Sequence, residues 1–318
     1  WDAVTRLLSP YTSNLLMITG TGNCPFRYRG PLSLNDAERI RSASGDLTVH
    51  WEQADLFGFR VDRISPKFIL AGGTVIVESD DLTVSEGKVR QFPTFVFDDR
   101  DGWLLTYRAG PLFENVRVNP RMCTTFLQYI APALAGVATA EGTFSLEATA
   151  CRVPLRSWQD GQLQGNFLSK NIRVGPGPVL KQFQPLVGVP DSVQVAQNST
   201  ITFWMTQRRV YHRNMTMLFG NVPVSTSGSV GLDQSLAIMI ETPIPANWLP
   251  KDAGLAQALA SQKIRIPIGG TLGQPRLDER VLAEVSRQFI QQAAGSALEQ
   301  GLRQGLQRGL DELFRQQP

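Results

Sequence analysis

The sequence predicts a mainly β protein with short helices between the strands and an amphipathic helix at the C-terminus. Apolar and polar residues alternate along many segments, as in strands that bury one face. The 318 residues include 28 glycines and 20 prolines, which favour turns between short strands over a helical bundle. Apolar residues make up 42 % and charged residues 19 % of the chain, so a sizeable core can form.

The strands are indicated by alternation with a period of two. In residues 142–150, Phe144, Leu146 and Ala148 share one face of the predicted strand, while Ser145 and Glu147 lie on the other. Similar alternation occurs at 45–51, 73–77, 94–97, 162–174, 200–206, 210–219, 229–240 and 264–268. Residues 98–102 resemble a calcium loop, but in that register Phe97 would take the first ligand position, so we interpret them as a hairpin turn.

Short helices are predicted between these strands. Asn119 is a good N-cap and Pro120 suits the first helical position, and the apolar residues of 122–137 then share one helical face. Pro132 should kink or restart that helix. Pro178 should open a short helical turn, and another helix is expected at 255–262.

The last forty residues read differently, as helix almost throughout, with a break at Gly295. A leucine recurs every fourth residue and is followed by an aromatic residue, which makes one apolar column: Leu298, Leu302, Leu306, Leu310 and Phe314. The adjacent column is Ala297, Gly301, Gly305 and Gly309. Two interpretations remain open: an amphipathic helix that contacts lipid or an apolar groove, or an ordinary helix that covers the end of a sheet.

The charge distribution argues against nucleic acid as a partner. The chain has 31 basic and 28 acidic residues, a net charge of +3, and the two signs are interspersed. The one short basic cluster, residues 207–213, is interpreted as an exposed strand with solvated arginines. The first residues lack a secretory signal, and the longest uncharged stretches are too polar to span a bilayer. Any membrane anchor is therefore expected outside this chain.

The residues that usually carry chemistry are sparse. Cys24, Cys123 and Cys151 lie far apart and have no metal-ligand spacing with either histidine, so we expect small buried apolar residues, although one disulfide is arithmetically allowed. Ser85 and Lys88 match the S-x-x-K motif of serine acyl enzymes, but its companion motifs are missing. No catalytic residue, metal site or cofactor is predicted.

The second half of the chain resembles a known family. Thr226-Ser-Gly-Ser-Val-Gly-Leu-Asp233 and Ile264-Arg-Ile-Pro-Ile-Gly-Gly-Thr-Leu-Gly-Gln-Pro275 are similar to the closing strands and turns of AsmA-like C-terminal regions, which belong to AsmA/TamB-type bacterial envelope proteins. Phe126-Leu-Gln-Tyr-Ile-Ala-Pro132 and Val174-Gly-Pro-Gly-Pro178 are similar to AsmA-like proteins of planctomycete-type bacteria. The resemblance covers residues 118–278. The first hundred residues share only the general pattern of strands and turns, without the motifs.

The resemblance implies an extended, curled antiparallel β-sheet with an open apolar groove. Residues 1–278 would form one unit: an N-terminal segment with short helices (1–44), a first strand set (45–118), a helical insert (119–139) and the best-matching strands (140–278). Residues 279–318 would be the tail. With roughly 14–16 strands about 4.8 Å apart, the groove would extend some 65–75 Å.

The function implied is non-enzymatic binding or conduction of phospholipids between the inner and outer membranes. The protein would be periplasmic, anchored to the inner membrane from outside this chain, and its C-terminal helix would contact a membrane surface or envelope proteins. The candidate groove residues are apolar positions on alternating strands: Leu47, Val49, Trp51, Phe144, Leu146, Phe167, Ile172, Phe203, Leu236, Ile238 and Ile240.

Each candidate groove residue fits a filled core equally well. The alternative function is therefore a structural or scaffolding envelope protein, with fully packed sheets and a tail helix that docks on a partner. A third class, a hydrolase, would require Ser85 and Lys88 within hydrogen-bond reach of each other in a pocket. An open apolar face distinguishes the first hypothesis from the second.

Overall fold

The computed structural model describes residues 16–19, 24–31, 37–80, 82–182, 191–244 and 263–277. This part of the chain is mainly β, as the sequence predicts. Its strands are β1 (Leu16–Thr19), β2 (Phe26–Arg29), β3 (Ser44–Thr48), β4 (Gln53–Leu56), β5 (Phe59–Val61), β6 (Lys67–Ala71), β7 (Thr74–Glu78), β8 (Thr83–Val84), β9 (Gly87–Val89), β10 (Thr94–Asp98), β11 (Gly102–Thr106), β12 (Gly110–Arg117), β13 (Ala140–Pro154), β14 (Gln162–Val174), β15 (Val193–Val195), β16 (Thr200–Thr206), β17 (Arg209–Phe219), β18 (Val222–Gly231), β19 (Leu236–Pro243), β20 (Lys263–Gly270) and β21 (Pro275–Leu277).

The helices of the described residues are short. They are α1 (Ala37–Ser42), α2 (Pro120–Thr125), α3 (Leu127–Ile130) and α4 (Pro178–Lys181), with 3₁₀ turns at Pro132–Leu134 and Trp158–Asp160. The predicted N-cap is confirmed, because Asn119 Oδ1 accepts a hydrogen bond from the Met122 N–H at 3.0 Å. Pro132 starts a 3₁₀ turn and Pro178 opens α4, both as expected.

The strands form one antiparallel sheet of eighteen strands and a small one of three. Fourteen strands of the described chain lie side by side in the order β2, β3, β6, β7, β10, β11, β13, β14, β16, β17, β18, β19, β20 and β21. At about 4.8 Å between neighbours, this row is roughly 60 Å wide. The row follows the chain order throughout, so most connections are short hairpin turns.

The small sheet consists of β1, β4 and β5, and its β4–β5 hairpin lies in the chain between β3 and β6. Between β3 and β4 the Val49 N–H donates to Pro66 O at 3.0 Å, and Trp51 pairs with Ile64. The hairpin of β4 and β5 thus prolongs that of β3 and β6. On its far side, the Ser85 N–H donates to Arg60 O at 2.7 Å, which joins β5 to the β8–β9 hairpin. Residues 1–44 are predicted to carry short helices. Their described part contains one helix, α1, and also strands β1 and β2.

One face of the later strands forms the core. We call it the inner face, and it carries Phe144 and Phe167, whose rings stack at 4.9 Å. Helix α3 packs on β17 and β18, and buried residues of the helices, such as Leu127 and Leu180, belong to the same hydrophobic cluster as these rings. Burial of this face is the main source of stability, because it removes the most apolar surface from water.

Several predicted strands have the expected bounds. The segments 162–174 and 200–206 are β14 and β16, and residues 98–102 do form the turn between β10 and β11. The alternation predicted over 229–240 is divided between the end of β18 and the start of β19. A turn separates β18 from β19 there, since Asp233 Oδ1 accepts from the Ser235 N–H at 3.0 Å and Gln234 has a φ of 68°.

Candidate functional site

The inner face continues from the later strands onto the first ones. Directly opposed residues of antiparallel strands point to the same side of a sheet. Leu163 opposes Met205 in the core, and Cys151 opposes Leu163. Val153, two residues further along β13, opposes Leu105 of β11. The apolar face of β11 and its neighbours is therefore the same face as the buried core.

On the first strands this inner face is not closed. Eleven apolar or aromatic side chains lie on it, each half-buried or exposed. We call this set the open stripe: Phe26, Tyr28, Leu47, Phe68, Leu70, Val75, Val77, Phe95, Phe97, Trp103 and Leu105. Phe26 is 73 % exposed and Leu47 37 % exposed. No charged strand residue lies within the stripe, and Arg41 of α1 borders it beside Phe97.

The opposite face of the same strands is mixed. Its charged residues include Arg27 and Asp46, which form an ion pair at 3.2 Å, and Asp98, which pairs with Arg152 at 3.4 Å. Two backbone N–H groups, of Asp101 and Arg100, donate to Asp98 and hold the pKa of its carboxyl below the usual range. The first strands are therefore amphipathic, with all their charge on one side.

The structure divides the candidate groove residues into two groups. Eight are buried in the hydrophobic cluster beneath the helices: Phe144, Leu146, Phe167, Ile172, Phe203, Leu236, Ile238 and Ile240. The other three are exposed or half-buried: Leu47 lies on β3 in the open stripe, and Val49 and Trp51 follow that strand in the chain. The sequence predicted one continuous set, and packing separates it into a filled part and an open part.

The tail-contact residues Leu298, Leu302, Leu306, Leu310 and Phe314 lie outside the described residues, as does the helix expected at 255–262. In the described part of the chain, no helix has both the length and the apolar character needed to cross a membrane.

One polar cleft borders the open stripe at Phe97, where Arg41 and Arg152 also line it. Another cleft, of about 620 Å³, is bordered by Arg60, Arg117 and Arg121 and by three carboxylates, those of Asp55, Asp62 and Glu86. Arg117 donates twice to Glu86, at 2.9 and 3.1 Å, and Arg121 lies 3.6 Å from Asp55. The opposite charges largely neutralise each other, so the cleft carries no strong excess of either sign.

Of the two residues of the S-x-x-K match, Ser85 lines this cleft. Ser85 occupies the β8–β9 turn with a φ of 44°, and its hydroxyl accepts from the Arg60 N–H at 3.0 Å. Lys88 is exposed on β9, directly opposite Thr83. The hydroxyl thus has a structural partner in the turn.

The cysteines differ from one another in environment. Cys123 is buried and Cys151 is half-buried, but Cys24 is exposed, so the expectation that all three are buried is wrong for Cys24. Burial raises the pKa of the Cys123 thiol to about 12 and that of Cys151 to about 11. All three are free thiols, and no three potential ligands among the described His, Cys, Asp and Glu residues cluster closely enough for a metal ion.

The basic cluster at 207–213 is more tightly bound than the sequence indicated. Arg209 donates to the Ser229 and Ser235 hydroxyls at 2.9 and 2.7 Å, so the expectation of a solvated arginine is wrong there. The guanidinium of Arg213 lies 4.8 Å from the Trp204 ring centre, and that ring stacks on Tyr211 at 5.3 Å. These side chains lie on the outer face and stabilise the β16–β17 hairpin.

Sequence reasoning missed one buried polar residue. His212 lies on the inner face, where its Nε2 is 3.2 Å from Thr226 Oγ1, while its Nδ1 has no hydrogen-bond partner in the described structure. Burial lowers the pKa of His212 to about 4, so the imidazole is neutral at pH 7. Its alternation with Val210 could have predicted this inward position.

Comparison with known proteins gives no relative: no family model, no curated protein and no solved structure matches this chain.

Proposed function

We propose that this protein is a non-enzymatic component of the cell envelope that binds phospholipid by its acyl chains along the open stripe. The observation that carries the proposal is the open stripe itself, an apolar face without charged strand residues that leaves the core and remains accessible to solvent. Apolar patches of this extent on soluble proteins mark interaction sites. The resemblance to AsmA-like regions supports a bacterial periplasmic location and transfer of lipid between inner and outer membranes.

The dimensions of the open stripe suit acyl chains. It crosses six neighbouring strands, β2, β3, β6, β7, β10 and β11, which at about 4.8 Å spacing gives some 24 Å. One acyl chain spans about half of a hydrocarbon core that is about 30 Å thick, or some 15 Å. A lipid tail lying across the strands would therefore contact apolar side chains along its whole length.

A second function is favoured by the filled part of the inner face. From β13 to β19 the eight candidate groove residues are each at most 7 % exposed, and they belong to one cluster with buried residues of the helices. A structural or scaffolding envelope protein would be built in this way throughout. The two hypotheses differ in the open stripe, which a scaffold would have to cover with a partner protein.

A pair of adjacent residues on β7 allows a matched test. Val75 lies in the open stripe, opposite both Leu70 and Phe95, whereas Ile76 points to the other face and is 38 % exposed. We would titrate detergent-free protein with a dansyl-labelled fatty acid. We expect Val75→Glu to weaken binding about tenfold or more, because a carboxylate would be placed against the acyl chain.

Ile76→Glu is the control, with the same substitution on the same strand, and it should bind as the unmodified protein does. Thermal melting of both variants checks that each remains folded. Equal weakening by both variants, or no saturable binding by the unmodified protein, would contradict acyl binding at the open stripe and leave the scaffolding function.

A further inference from the structure

The tip of the β13–β14 hairpin, residues 155–160, is exposed at every position. It carries two of the large exposed apolar residues of the described chain, Trp158 at 43 % exposure and Leu155 at 38 %. A single exposed apolar side chain is ordinary on a protein surface. A Trp and a Leu three residues apart on one exposed turn form a small apolar patch. Trp is favoured at the boundary between water and lipid, since its ring is apolar and its N–H is polar.

The tip is held in place by local contacts. The Asp160 N–H donates to Ser157 O at 2.9 Å, and the Gly161 N–H donates to Trp158 O at 3.1 Å, which closes the 3₁₀ turn. Gly161 is buried, and a Cβ there would lie 3.0 Å from Trp158 O. Arg208 pairs with Asp160 at 3.3 Å and offsets the one carboxylate of the tip. The Trp158 ring is therefore presented on a fixed turn, with little ordering left to occur on binding.

The charge of the tip also suits a phospholipid surface. Arg156 lies between the two apolar residues in sequence, and within the described structure it has no carboxylate partner. A guanidinium can donate two parallel hydrogen bonds to a phosphate group. The Leu155 N–H donates to Trp103 O at 2.8 Å, so the tip adjoins the end of the open stripe to which Trp103 belongs.

We propose that residues 155–160 dock on a phospholipid bilayer, with Leu155 and Trp158 in the interfacial region and Arg156 on a lipid phosphate. The inference rests on the proposed function, since a docked bilayer would be the source of the lipid that reaches the open stripe. Docking of this tip would place the bilayer next to Trp103, at the β11 end of the open stripe, so lipid would enter the stripe from that end.

The test is flotation of the full chain with vesicles of phosphatidylethanolamine and phosphatidylglycerol. The variants are Leu155→Ala/Trp158→Ala and Arg156→Gln, with Met239→Ala, an exposed residue of β19, as the matched apolar control. Each variant is made in two backgrounds, one with the unmodified tail and one with Leu302→Glu/Leu306→Glu. Binding through the tail then cannot mask the result. We expect the double variant to lower the partition coefficient about tenfold, Arg156→Gln to lower it less, and Met239→Ala to leave it unchanged.

Partitioning of the double variant equal to that of the unmodified chain would overturn the docking proposal, as would an unmodified chain that does not float. The fatty-acid titration separates this result from the proposed function. The double variant should keep its affinity for the labelled fatty acid, because the open stripe is intact. If Leu155→Ala/Trp158→Ala loses flotation while Val75→Glu still binds the fatty acid normally, docking is supported and the open stripe is not the acyl site.

Discussion

Leu105 on β11 lies directly opposite Val153 on β13, and at this pair the open and the filled parts of the inner face meet. On one side, Phe95 opposes Leu105 and remains half-buried. On the other, Cys151 and Leu163 lead into the core. The same alternating pattern thus serves two purposes within one sheet. Residues of α2, α3 and α4 belong to the buried cluster of the filled part, whereas α1 contacts β10 in the open part.

The filled part should respond to truncation as a close-packed core does. Phe167 is fully buried and stacks on Phe144, so Phe167→Ala should lower the free energy of unfolding by about 3–5 kcal/mol. Phe26→Ala is the control on the open stripe, and it should change the free energy of unfolding by no more than about 1 kcal/mol. Urea unfolding followed by far-ultraviolet circular dichroism measures both. Similar losses for the two variants would mean that the open stripe is itself a closed core.

The helical insert should depend on the side chain of Asn119. Its Oδ1 accepts from the Met122 N–H and its Nδ2 donates to Gly58 O, each at 3.0 Å, which ties α2 to the β4–β5 hairpin. Asn119→Ala should lower the free energy of unfolding by about 1–3 kcal/mol, since both bonds are lost. Asn119→Asp keeps the capping acceptor and removes only the donor, so its loss in the same urea titration should be smaller. A larger loss for Asp than for Ala would contradict this.

Buried His212 should make the protein less stable in acid. Its pKa is about 4 in the folded protein and about 6.5 in an unfolded chain, so the unfolded state binds the proton more tightly. This contribution to stability is complete above pH 6.5 and is lost as the pH falls towards 4, by about 3 kcal/mol in all. Thermal melts of the unmodified protein and of His212→Gln across this range measure it. The variant should lack this part of the acid dependence, and parallel curves for the two proteins would refute the assignment.

The three thiols should differ in reactivity with iodoacetamide at pH 8. The exposed Cys24 should be alkylated first, Cys151 slowly, and Cys123 only after unfolding, because burial restricts access and raises the pKa of the Cys151 and Cys123 thiols. Peptide mass spectrometry over a time course gives the order. Rapid alkylation of Cys123 in the native protein would contradict the packing described for α2.

Local patterns in the sequence predicted much of the fold. Alternation gave the bounds of β14 and β16, and Asn119 with Pro120 gave the start of α2, because these features depend on neighbouring residues. The groove was harder to predict. Phe167 and Phe68 each lie in a strand between one polar and one apolar neighbour, so the local sequence does not distinguish them. Phe167 is buried in the cluster to which the helical residues belong, and Phe68 is only half-buried. Alternation alone did not indicate the turn at Asp233, because the apolar residues Leu232 and Leu236 flank it; the resemblance to AsmA-like turns did.

Native mass spectrometry of the protein, purified from cell envelopes without detergent, tests the central claim most directly. If the open stripe binds acyl chains, the unmodified protein and Ile76→Glu should carry bound phospholipid masses, and Val75→Glu should have lost them. Unmodified protein free of phospholipid, or phospholipid retained equally by Val75→Glu, would contradict the claim.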